Sequence, residues 1–118
     1  MMDISKSRVL KGLQDSIKNV HRTTGELTIT QLNVLLFIMR RKRVHGLQIC
    51  QSLEMSRPTV SRIMALLSEE IQTRKKQRPL GLIKFDDGSL VKGRRVKYVV
   101  LTEKGEALAH SFLESFSE

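Results

Sequence analysis

Arg57, Thr59, Ser61 and Arg62 crowd into the opening turns of one stretch, EMSRPTVSRIMALL, Glu54 to Leu67. Ser56 is a good helix N-cap, and Pro58 falls in the first turn, where no amide partner is lost. Val60, Ile63, Met64, Leu67 and Ile71 then recur at helical spacing, so they give the helix an inward face and leave the long polar side chains outside. The chemistry open to those side chains is hydrogen bonding, not bond making. A guanidinium offers paired donors that match a guanine edge, and small hydroxyls suit phosphate oxygens or a thymine methyl. On this helix alone the same residues could equally be an ordinary polar surface.

Residues for catalysis are missing. His21, His45 and His110 are isolated, with no carboxylate or cysteine at ligand spacing, and no glycine-rich phosphate loop occurs. The expectation is therefore no enzyme, no metal and no cofactor. Cys50 is the single cysteine, which excludes an internal disulfide; it reads as a packing residue, with redox sensing as the alternative. Aromatic content of 4% gives few stacking platforms for single-stranded nucleic acid.

Bulk properties name a class of partner. The 118 residues favour one domain over 1–118, and the 21 Lys and Arg against 12 Asp and Glu leave a formal charge of +9. Such an excess points to a polyanion. No apolar run approaches the ~20 residues a bilayer span needs, and the first residues lack a signal-peptide core. The chain is expected to be cytoplasmic, with no membrane partner.

The elements that must position these residues follow from local signals. Ile4 to about Val20 reads as a helix with Leu10, Leu13, Ile17 and Val20 on one stripe, and HRTTGE breaks it. Thr28 with Gln31 forms a capping-box pair for a second helix carrying Leu32, Leu35, Leu36 and Met39. That helix ends in Arg40 to Arg43, where cations complement the helix terminus or reach a phosphate. Val44 to Gly46 leaves room only for a bridging strand, and Leu47 to Leu53 reads as a short helix before the Ser56 helix, which is predicted over 56–71 and could run on to Pro79. Beyond it, GLIKFDDGSLVKGRRVKYVVLT alternates as a β-hairpin with Asp87-Gly88 as turn and Val96, Tyr98 and Val100 on one face. Thr102 caps a last helix with Ala107, Leu108, Phe112, Leu113 and Phe116. The expected fold is mainly α with a small β-hairpin: a winged helix-turn-helix over 28–101, with added helices at 1–26 and 102–118.

In that setting the first turns of the Ser56 helix point to the major groove of duplex DNA, and Ser56, Arg57, Thr59, Ser61 and Arg62 are its candidate contacts. Lys84, Lys92, Arg94, Arg95 and Lys97 cluster in the hairpin, suited to the minor groove or backbone, with a merely solvated basic loop as the alternative. The segment SEEIQTRKKQRPL adds Arg74, Lys75, Lys76 and Arg78. Leu10, Leu13, Ile17 and Val20, with Phe112 and Phe116, exceed what so small a core needs and are the candidate homodimer interface.

The blocks LTITQLNVLLFI, ICQSLEMSRPTVSRIMALL, GLI and GRRVKYVVLTEKG resemble, in that order, the MarR-type winged-helix regulators (multiple antibiotic resistance regulators), over roughly 27–108. The resemblance implies a homodimer that binds pseudo-palindromic operators and usually represses transcription. It places Ser56, Thr59, Ser61 and Arg62 on the recognition helix and Arg94 and Arg95 in the wing. A small-molecule effector is also a family expectation, though no residue here demonstrates one. The chain departs from the family at Gly93, where an Asp usually precedes the wing arginines, in the basic insertion before Pro79, and in its short C-terminal helix. Those departures keep a second reading open, a plasmid or phage replication or partition protein. A winged-helix protein-interaction module is the reading from another class, and the charge argues against it.

Overall fold

The computed structural model describes residues 4–68, 80–91 and 94–116, with side chains described over 6–68, 80–86 and 98–116. Helix α1 (Ile4–Thr24) closes where Gly25 takes φ +76° and its amide donates to the His21 carbonyl. That left-handed turn is one glycine adopts without a Cβ clash. Helix α2 (Ile29–Arg41) begins on the expected capping box. The Gln31 amide donates to Thr28 Oγ1 at 3.1 Å, and the Thr28 amide to Gln31 Oε1 at 2.9 Å. Val34, Leu35, Phe37 and Ile38 are its buried residues, while Leu36 is exposed at the edge of the apolar face.

Strand β1 (Arg43–His45) leads directly into α3 (Gly46–Leu53). Glu54 ends α3 in the left-handed region, the Met55 amide closes on the Cys50 carbonyl, and Ser56 opens α4 (Arg57–Leu67). The helix-turn-helix is thus built on a very tight connection. Strands β2 (Ile83–Val91) and β3 (Arg94–Leu101) form the hairpin, and α5 (Glu103–Ser115) closes the described chain. The antiparallel sheet has the order β1-β3-β2.

One core joins these elements. Val34, Leu35, Ile38, Val44, Ile49, Val60, Leu67, Leu82, Ile83 and Val99 are almost fully buried within it, and Cys50 and Phe112 pack against it. Val44, Val99 and Phe85 lie side by side in register on the sheet's inner face. α5 is locked to this layer by Thr102, whose hydroxyl caps the Gly105 amide and donates to the Gly81 carbonyl. Gly105 must be glycine, because a Cβ there would strike the Leu82 carbonyl. α1 docks along α5, where Gly12 makes room: a Cβ at that position would sit 2.6 Å from the Phe116 ring.

Two expectations need correction. α4 stops at Leu67 and does not run to 71. Ser68 turns extended, and the amides of Leu80, Gly81 and Leu82 take the carbonyls of Leu66, Ser68 and Leu67. Those bonds satisfy the helix's last acceptors and end it; Ile71 and the stretch to Pro79 lie outside the described residues. Asp87-Gly88 is not the hairpin turn. Pairing continues past it to Val91 opposite Arg94, with one extra residue of β2 accommodated between Asp87 and Leu90. The alternation expected on β3 holds over its described side chains, with Val99 and Leu101 buried and Tyr98 and Val100 partly buried on the other face.

Candidate nucleic-acid interface

Ser56 lies in the extended region and caps α4 with its side chain. Its Oγ accepts from the Thr59 amide at 3.4 Å and donates to Thr59 Oγ1 at 2.8 Å. This pair pins the first turn. Val60, Ile63 and Leu67 fix the opposite side of the helix in the core. Arg57, Pro58, Ser61 and Arg62 are all exposed, and Thr59 is half-buried. Four-residue spacing aligns Arg57 with Ser61 and Pro58 with Arg62, so they form one outward stripe. Arg62 lies back toward the helix start, its Nε donating to the Pro58 carbonyl at 3.3 Å. That leaves the terminal guanidinium nitrogens beside the front end of α4.

The electrostatics favour an anion there. The N-terminal end of a helix carries positive partial charge, and the first turn of α4 holds no acidic residue. Arg57 and Arg62 add two full charges to the same end.

Of the hairpin candidates, Lys84 is exposed on β2, and Arg94, Arg95 and Lys97 lie on β3 opposite Val91, Leu90 and Asp87. The two arginines therefore stand near the far end of the wing, at the opposite end of β3 from the core. Lys92, Arg74, Lys75, Lys76 and Arg78 fall outside the described residues. The chain that carries the last four leaves at Ser68 and returns at Leu80, where the Leu80 amide is bonded to the Leu66 carbonyl at 3.1 Å.

The candidate association face divides. Leu10, Leu13 and Ile17 on α1 are 50%, 49% and 50% exposed, and Phe116 on α5 is 50% exposed, next to Gly12. Val9 on α1, overlooked in the sequence, and Leu113 on α5 are further exposed apolar residues. Val20 is 4% exposed, and Phe112 packs against the core. Both are drawn toward the chain's own interior, Val20 in the core and Phe112 partly buried against it. A cleft of about 460 Å³ opens between α1 and α5, lined by Arg8, Lys11, Asp15, Glu114 and Phe116, with Lys11 and Asp15 paired at 3.6 Å.

Sequence reasoning missed Arg43, Tyr98 and Asp86 as a group. Arg40 and Arg41 place their guanidinium groups over Phe37, but Arg43 leaves the run and stacks on Tyr98. Only the pairing of β1 with β3 could have revealed this, and a three-residue strand carries no periodicity. Among the described residues no group of His, Cys, Asp or Glu is arranged to hold a metal ion, and no helix is long and apolar enough to cross a membrane.

Two helices in a tight turn, a three-stranded sheet and a hairpin wing define a winged helix-turn-helix. Solved structures share that fold. A transcriptional regulator homologue from Pyrococcus horikoshii OT3 superposes with a TM-score of 0.58 at 20% identity, covering 88% of each chain. RV1404 from Mycobacterium tuberculosis gives a TM-score of 0.64 at 16% identity, over 98% of this chain and 74% of that one. The disulfide-formed AbfR gives 0.61 at 18% identity, over 96% and 68%. No family model matches the chain, and no curated protein matches it.

Proposed function

We propose that this protein is a sequence-specific double-stranded DNA-binding regulator of the MarR type, acting as a dimeric repressor of transcription. α4 enters the major groove with Arg57, Thr59, Ser61 and Arg62, and the wing follows the minor groove or backbone with Lys84, Arg94, Arg95 and Lys97. The observation that carries this reading is the exposed, acid-free start of α4, with two arginines beside it on a helix anchored by Val60, Ile63 and Leu67. The charge of +9 and the likeness to a transcriptional regulator homologue support it.

Binding is expected to weaken steeply with salt. If about 6 phosphates are neutralised per dimer, log affinity falls with log salt at a slope of roughly −5. A slope near zero removes the reading.

Dimerisation is supported by the exposed apolar residues Leu10, Leu13 and Ile17 of α1 and Leu113 and Phe116 of α5. Two-fold symmetry would set the two α4 helices about one DNA turn, ~34 Å, apart. Ultracentrifugation at micromolar concentration is expected to give a dimer that Leu13→Glu dissociates, with operator affinity lost alongside. A monomer whose mass stays constant with concentration, yet which binds DNA tightly, rules the dimer out.

A further inference from the structure

The outer face of the sheet holds a cluster of which Arg43, Tyr98, Asp86 and His45 have no part in the reading above. Register places His45, Tyr98 and Asp86 abreast across the three strands, with Arg43, Val100 and Lys84 in the next row. The Arg43 guanidinium carbon stands 3.9 Å above the Tyr98 ring centroid. Its Nε is 3.4 Å from Asp86 Oδ2. His45 meets the same ring edge-on, at 5.8 Å between centroids and 72° between planes. One side chain of β1 thus touches both hairpin strands. The ion pair is about half exposed and contributes modestly; the flat stack on tyrosine supplies the directional part.

The location gives the contact its consequence. β1 is three residues long, lies at the sheet edge and runs without a break into α3. Few backbone hydrogen bonds therefore hold the wing to the strand that feeds the helix-turn-helix.

We propose that Arg43 is a positioning residue, clasping Tyr98 and Asp86 so that the wing keeps a fixed angle to α4 when both meet DNA. The inference rests on the DNA reading and deepens it. A lysine keeps the charge yet cannot lie flat on the ring or present a planar fork to Asp86, so Arg43→Lys is expected to fail as Arg43→Ala does.

The test measures affinity for a mixed-sequence DNA duplex in Arg43→Ala, Arg43→Lys, Tyr98→Val and the Arg43→Ala/Tyr98→Val double variant. It also records the Arg43 side-chain proton shifts of the DNA-free protein. Each single variant is expected to bind about fivefold more weakly, and the double variant no worse than either single. Asp86→Asn, an exposed change that leaves the fold intact, is expected to weaken binding in the same direction. The Arg43 protons are expected upfield in the wild type and at ordinary positions in Tyr98→Val. Rescue by lysine, or losses that add, would make Arg43 a plain cation on phosphate and overturn the clasp. Arg43 shifts that are ordinary in the wild type would do the same. If the wild type binds no duplex, the DNA reading falls by itself, and the ring shift still decides whether the clasp exists.

Discussion

α4 and α5 begin with the same local chemistry and opposite charge. Each has a hydroxyl residue in extended conformation at its cap, accepting from the amide three residues on: Ser56 from Thr59, and Thr102 from Gly105. In α5 the first turn then carries Glu103 and Glu106, which answer the helix's positive end from within the chain. α4 has no acid in that turn and has Arg57 instead. Thr102 is buried and bonded to the β2 approach through Gly81, whereas Ser56 is exposed. One helix start is completed internally. The other gives up that stabilisation and stays open to an external anion, as the proposed groove contact requires.

Reversing this contrast should produce the largest effect. Arg57→Glu gives α4 the kind of start α5 has, and should cost DNA binding more than about 2 kcal/mol through repulsion at the phosphates. The same change should raise unfolding stability by about 0.3–1 kcal/mol. Duplex titration and urea unfolding of one preparation read both, and loss of stability alongside binding would break the comparison. Arg62→Ala should come next, costing about 1–3 kcal/mol on the preferred site and little on random DNA. Equal losses on both would remove its role as a base reader. Thr102→Ala should cost about 2 kcal/mol of stability, because a buried cap also leaves the Gly81 carbonyl without its donor. Ser56→Ala, on the exposed cap, should cost nearer ~1 kcal/mol.

The same two helices show what the sequence made legible. Both caps, and the Thr28 and Gln31 pair, could be read directly, because capping is settled by residues within one turn. The end of α4 could not. It is set by amides at Leu80 to Leu82, which reach the last carbonyls across the intervening segment. Which face of β3 turns inward was not legible for a related reason. Val96 and Val100 are as apolar as Val99 and Leu101, so alternation alone cannot choose a side; Val44 and Phe85, on neighbouring strands, choose Val99. Of the candidate interface, the α4 residues followed from helix periodicity. The Arg43, Tyr98 and Asp86 group depends on three strands meeting in register, which no local pattern encodes. Val20 was misassigned because a helix stripe does not reveal where along its length the rest of the chain covers it.

An amide chemical-shift titration of the protein with a mixed-sequence duplex tests the central contrast most directly. The account predicts the largest changes at the amides of Ser56 to Arg62, excluding Pro58, with further changes along the wing and little at Glu103 to Glu106. Shifts centred on α1 and α5, or of equal size at the starts of α4 and α5, would contradict it.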